Sequence, residues 1–211
     1  MTNTRTSTWE NIGTTINETK IDDVLVKAGL DYAVIASPLF TEMNGKKIEV
    51  KSNNVIMKST GDICGVVSDK YVPMQNKDAF DFINYINEDI HFVKAGETKS
   101  GLVYVIGELN EMNILGDKFK THLIFQNSHN GKYQLAMSIC PLRIICQNQF
   151  NLSFKESNAT YLIRHTKNVE SRMAIASESL HKISDYMDSF KQKAELFAKQ
   201  KVDATQVTKF L

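Results

Sequence analysis

Apolar positions recur along this chain with two different periods. Between residues 32 and 67 they fall in short β-rich runs (32–40, 48–57 and 63–67), separated by Asn44-Gly45 and by Thr60-Gly61-Asp62. Asn-Gly between such runs marks a hairpin, because both residues tolerate φ > 0. The first half is therefore expected to contain an antiparallel meander. A second β block covers 90–95, 102–109, 121–127 and 133–140, with the tight turn His129-Asn130-Gly131-Lys132 joining the last two runs. Tyr133, Leu135, Met137 and Ile139 alternate with smaller residues, the pattern of a half-buried strand. Residues 142–146 read as a continuing strand, 147–154 as a short helix and 159–165 as one further strand.

The period changes to three and four in three places. Thr19 or Asp22 is placed to cap a helix running through Ala28, with Gly29 as its stop. Asn76 is placed to cap a second, reaching about Glu88, whose Ala79, Phe80, Ile83 and Ile86 would face the sheet. The third runs from about Asn168 to Lys201: Met173, Ala176, Leu180, Ile183, Met187, Phe190, Ala194 and Phe197 step by three and four alternately, with no Gly or Pro between them. Such a helix would be roughly 50 Å long, more than a small sheet needs for cover. Either its distal half packs on another chain or it folds along the side of the domain; the seam of Met173, Leu180, Ile183, Met187 and Phe190 favours the first, a homo-oligomer. The resulting expectation is an α+β fold, a mainly antiparallel sheet with a few helices and a long C-terminal helix. It divides into an N-terminal arm (1–20) anchored at Trp9 and turning at Gly13, a core (21–166), the helix (167–201) and a tail (202–211).

Composition narrows the class without naming a chemistry. With 211 residues, 42% apolar and 23% charged, the chain can bury roughly 70% of its unfolded surface and needs no staple. No apolar run approaches the roughly 20 residues that cross a bilayer, so no membrane partner is expected. The polar start, Met1 to Asn11, carries no apolar signal core. Three cysteines (Cys64, Cys140, Cys146) show no framework spacing, which suits a reducing cytoplasm. The net charge of +1 hides a mild basic excess at the C-terminal end, nine basic against six acidic residues over 164–211. Only four of the 25 basic residues are Arg, and Arg143, Arg164 and Arg172 lie close in sequence. A lysine-preferring chain uses Arg where a planar, permanently charged fork is wanted.

Three polar segments hold the candidate chemistry. Gly65 to Asn76 runs from a strand end into a helix N-terminus, whose free N–H groups suit an anion; its candidates are Asp69, Tyr71, Gln75 and Asn76. A plainly capped loop would use the same residues. Gln126 to Gly131 is a hairpin tip, where turn geometry accounts for Asn130 and Gly131 but less so for Asn127 and His129. The third segment holds Arg143, Cys146 and Asn148, followed downstream by Arg164, His165 and Arg172. In a strand Arg143 and Cys146 point to opposite faces, so they do not form one site through the strand alone. His129, His165 and Cys146 offer ligand atoms without any short paired spacing, so neither metal nor cofactor is expected. Cys146 as a nucleophile with a histidine base is a formal option; a buried strand cysteine is the plainer one. No Gly-rich phosphate loop, dinucleotide fingerprint or nucleophile elbow occurs, and no catalytic residue is assigned.

The order of several short motifs carries a resemblance: Trp9-x-x-x-Gly13, Ala28-Gly29-Leu30-Asp31, Gly65-Val66-Val67 through Tyr71-x-Pro73-x-Gln75-Asn76, Asn127-Ser128-His129-Asn130-Gly131, Arg143-x-x-Cys146-x-Asn148 and Arg164-His165-Thr166. Together they resemble the phage/plasmid-like proteins, a family of unknown function, over about residues 9–185. That family often has His directly after the early Trp; Glu10 stands here, so no role passes to an N-terminal histidine. The resemblance implies a phage, prophage or plasmid protein acting in a bacterial cytoplasm, and implies no reaction. Three functions stay open. One is single-stranded DNA binding in recombination or annealing, with the arginines on phosphates and Tyr104 and Tyr133 stacking on bases. Another is a small-molecule or nucleotide enzyme using Asp69, Asn127, His129, Arg143 and Arg164. The last is an inhibitor that binds a host defence protein. A closed polar pocket would favour the second and an open, positive groove the first.

Overall fold

The structure, a computed structural model, describes residues 13–86, 89–109, 111–114, 116–140, 160–165 and 183–200. Its strands are β1 (Thr14–Glu18), β2 (Val34–Met43), β3 (Lys46–Lys58), β4 (Ile63–Ser68), β5 (His91–Glu97), β6 (Leu102–Glu108), β7 (Met112–Ile114), β8 (Asp117–Phe119), β9 (His122–Ser128), β10 (Leu135–Cys140) and β11 (Thr160–Ile163). The helices are α1 (Ile21–Lys27), α2 (Asn76–Asp81), which runs on as a 3-10 turn (Phe82–Tyr85), and α3 (Ile183–Lys199). Six strands form one antiparallel sheet in the order β1-β5-β6-β9-β10-β11, and β2-β3-β4 form a separate meander. The small hairpin β7-β8 lies between β6 and β9 in the chain. The α+β expectation holds.

Side-chain alternation builds the core. Ala95, Val105, Phe125 and Met137 are cross-strand partners in successive strands, so they form one row on one face. Ile21, Val24 and Leu25 of α1 and Phe80 of α2 pack onto that row. The opposite face carries Leu102, Tyr104, Ile106, Ile124 and Cys140, also buried. All six residues of β10 are buried, so this strand is covered on both faces and not half-buried as its alternation implied.

The meander turns at Asn44-Gly45, with φ +51° and +72°, as the hairpin signal requires. Pro38 sits on β2, an edge strand, where a missing N–H is tolerated, and a bulge follows it before Phe40. Val34, Ile56 and Val67 fill the inner face of the meander. Ile35, Ile63 and Val66 stand exposed.

Several expectations change. Residues 14–18, read as part of a free arm, are an edge strand of the main sheet, pairing Thr14 with Ala95. Lys20 holds the N-cap position of α1 and no side chain caps it, neither Thr19 nor Asp22. The second helix stops at Asp81 and its 3-10 extension at Tyr85, short of Glu88. Asn76 does not cap it: the Ala79 N–H donates to the Gln75 carbonyl, and the Asn76 side chain points elsewhere. Of the long C-terminal helix, Ile183–Lys199 is helical, while 166–182, with Met173 and Leu180, lie outside the described residues. Met187 packs against the main core of its own chain and Phe190 is half-buried. The far end of α3 is open, with Phe197 68% exposed. No helix among the described residues is long and apolar enough to cross a membrane.

Candidate functional site

β9 and β11 are both antiparallel to β10, so they run the same way and end at the same end of the sheet. Along β9, Leu123 and Phe125 face the helices, and Asn127, partnered with Val103, continues that face. It is a fully buried polar side chain in a row of core positions. His129, two residues on, is buried as well. Past β11 the burial alternates: Leu162 exposed, Ile163 buried, Arg164 exposed, His165 buried. Two histidines thus reach the same end of the sheet by the same parity.

The segment after β4 crosses this end. The Val72 N–H donates to the His165 carbonyl at 3.2 Å, and the Tyr71 hydroxyl donates to the Ser128 carbonyl at 2.7 Å. The Tyr71 ring stacks on His165, with centroids 5.1 Å apart and planes 27° from parallel. Gln75 then clamps β2: its Oε1 accepts from the Val34 N–H and its Nε2 donates to the Val34 carbonyl, both at 2.8 Å. Its amide stands in for a further strand on that edge.

Asn76 is the hub. Its Nδ2 donates to the Leu30 carbonyl at 2.9 Å, which turns Oδ1 toward β9. There Oδ1 meets Asn127 Nδ2 at 3.0 Å and His129 Nε2 at 2.9 Å. Flipping either amide would set like groups against each other, so the pattern fixes both orientations. An acceptor at Oδ1 also fixes the imidazole: Nε2 carries the hydrogen, and in a neutral ring Nδ1 is then a bare acceptor. Neither His129 Nδ1 nor Asn127 Oδ1 has a partner among the described residues, although both are buried. A buried acceptor left unpaired costs about 1–3 kcal/mol. His129 and Asn127 therefore each leave one acceptor without a donor among the described residues.

Charge is kept out of this place. Burial, with the His165 ring and Lys58 adding to it, holds the His129 pKa down at about 4. Burial does the same to His165, also about 4, against an opposing pull from the Val72 backbone; neither of its ring nitrogens has a hydrogen-bond partner among the described residues. The Tyr32 ring meets His129 edge-on at 5.8 Å. Its hydroxyl donates to Glu97 Oε2 at 2.9 Å, and Lys58 Nζ, 2.6 Å from that oxygen, lies 4.2 Å above the Tyr32 ring. Burial pushes the Tyr32 phenol far up; the Asn76 amide opposes this and Glu97 reinforces it. Burial likewise raises Tyr71, more than the bond to Ser128 lowers it. Among the described residues no three His, Cys, Asp or Glu side chains are grouped to hold a metal.

Tyr71, Gln75, Asn76, Asn127, His129 and His165, drawn from all three polar segments, meet in this one region. Asp69 and Arg164 do not join it: both are exposed. Strand alternation turns Arg164 away from the face that buries His165. Arg143, Cys146, Asn148 and Arg172 lie outside the described residues. Tyr104 is wholly buried, its phenol pushed up to about 12, and cannot stack on a base. Sequence reasoning missed Tyr32, Lys58 and Glu97. Tyr32 directly follows the Ala28-Gly29-Leu30-Asp31 motif, which was a usable signal; nothing marked Lys58 or Glu97.

A family model described as a domain of unknown function, DUF932, matches residues 63–211. The chain belongs to the DUF932 family. No curated protein and no solved structure matches it. The DUF932 match starts at β4 and takes in Tyr71, Gln75, Asn76, Asn127, His129 and His165, whereas Tyr32 and Lys58 precede it.

Proposed function

We propose that this DUF932 chain is a binding protein whose site is the Asn76–Asn127–His129 cluster, and that it takes a small ligand presenting hydrogen-bond donors. One observation carries the reading: two buried acceptors, His129 Nδ1 and Asn127 Oδ1, have no partner among the described residues. Native folds pair nearly all such atoms, and those left over point to an unfilled role. Recognition suits the cluster better than proton abstraction. A general base works best with a pKa near the working pH, and His129 is held near 4. As an acceptor it needs no proton affinity. The resemblance to phage/plasmid-like proteins supports a setting in mobile elements of bacteria.

Nitrogen-15 NMR of the imidazoles at pH 7 tests this directly. His129 should be neutral, protonated at Nε2, with a bare Nδ1 whose resonance moves when a donor-bearing probe such as cytidine or agmatine is added. A charged His129, or one protonated at Nδ1, would remove the basis of the reading.

Single-stranded DNA binding is a second reading, supported by the β2–β3 ribbon. Phe40 is 43% exposed with Lys47 Nζ 4.2 Å over its ring, and Lys46 and Lys51 are exposed on the same ribbon. A labelled oligonucleotide should then bind with a log–log salt slope of about 0.7 per phosphate neutralised. Lys47→Ala should lower that slope as well as the affinity. Binding indifferent to salt, or to this change, would count against it.

A further inference from the structure

The chain contains two Asn-Gly pairs, Asn44-Gly45 and Asn130-Gly131. Both form turns with a left-handed glycine, at φ +72° in each case. Their asparagine side chains stand in opposite circumstances. Asn130 is held from several sides: its Nδ2 donates to the Ser100 carbonyl at 2.7 Å, and its Oδ1 accepts from the Lys132 N–H at 3.0 Å. Gly65 and Gly101 lie so close that a Cβ on either would meet this side chain. Asn44 sits at the exposed tip of the β2–β3 ribbon, and its amide has no hydrogen bond among the described residues. A Cβ built on Gly45 would meet open space.

We infer that Asn44 is a site of spontaneous covalent modification, converting to aspartate and isoaspartate, and that the contacts of Asn130 protect it from the same reaction. In the first step the Gly45 backbone nitrogen attacks Asn44 Cγ. A C–N bond forms, the Cγ–Nδ2 bond breaks, and ammonia leaves with the Gly45 amide proton, closing a succinimide ring. Water then opens the ring at either carbonyl carbon: attack at Cγ leaves aspartate, and attack at the main-chain carbon leaves isoaspartate. Nothing is oxidised or reduced. Glycine permits the first step because it has no side chain to shield the attacking nitrogen. The amide must also swing round to that nitrogen, which Asn44 is free to do and Asn130 does only by giving up both hydrogen bonds. That loss makes Asn130 at least about tenfold slower.

The products alter the ribbon in two ways. A neutral amide becomes a carboxylate beside Lys46 and Lys47, which lowers the positive charge of the tip by one. Isoaspartate also adds a methylene to the main chain between Met43 and Lys46, the pair that closes the hairpin.

Peptide mass spectrometry of the full chain, aged in the folded state at mildly alkaline pH, tests the site. The peptide bearing Asn44 should gain the mass difference between an amide NH2 and a hydroxyl, and should become a substrate for an isoaspartyl-specific carboxyl methyltransferase. The peptide bearing Asn130 should lag by about tenfold or more. Ageing in urea removes the fold, and both peptides should then convert at similar rates. Asn44→Gln requires a larger ring and should suppress the acidic band that isoelectric focusing shows as the wild type ages. Folded protein whose Asn44 peptide keeps its amide while the urea-treated chain loses it would overturn the site. Equal rates at the two asparagines in the folded protein would overturn the protection of Asn130.

Discussion

At the scale of single residues, the two histidines at the end of the sheet set the acid limit of the fold. Each has a pKa of about 4 when folded against an ordinary 6.5. Above pH 6.5 neither folded nor unfolded chain takes these protons. Below it the unfolded chain takes them first, so stability rises with pH across this window and is lost as pH falls from 6.5 toward 4. Each histidine accounts for roughly 3 kcal/mol at the bottom of that range. Urea midpoints measured at pH 7.5, 5.5 and 4.5 should fall accordingly, and His129→Phe should remove about half of the fall. A midpoint flat between pH 7 and 5 would mean that the histidines are not buried neutral.

At the scale of elements, the joint between the meander and the main sheet depends on side chains acting as backbone. Gln75 satisfies both polar groups of Val34, so Gln75→Ala exposes the start of β2 and should cost about 1–2 kcal/mol. Hydrogen exchange at the Val34 amide should quicken with it, whereas Asp69→Ala, at an exposed turn, should leave both quantities nearly unchanged. The contrast also shows what was legible. Apart from β1, the strands of both sheets could be read from alternation and from Asn44-Gly45, because hairpin geometry is local. The short α2 could not: Asn76 and Gln75 have the residue types of helix capping and strand-edge chemistry alike, and partners more than forty positions away decide between them. β1 was missed for the same reason, since its five residues become a strand only through β5. The polar segments were legible as a set, and strand parity then sorted their members, inward for Asn127, His129 and His165, outward for Arg164.

At the scale of the whole molecule, α3 has two different ends. Met187 leans on the core, while Leu196 and Phe197 stand 61% and 68% exposed. If the chain self-associates, the far end is where it does so. Replacing Leu196 and Phe197 with Lys should lower the mass in sedimentation equilibrium with little change in melting temperature. Met187→Lys should act the other way, destabilising the fold by about 2 kcal/mol or more through loss of packing and a desolvated charge. Wild-type protein that sediments as a monomer at high micromolar concentration would end the case for an oligomer.

The pairing of Thr14 with Ala95 makes the edge of the sheet depend on time as well as contacts. During synthesis the first strand leaves the ribosome long before its partner: at about 5–20 residues per second, the 81 positions between them take roughly 4–16 s to make. The meander, whose strands are neighbours in sequence, has no such wait. A nascent chain should therefore present a formed β2-β3-β4 unit while β1 is still without its neighbour, and Ile16, buried in the finished protein, stays in water until β5 arrives.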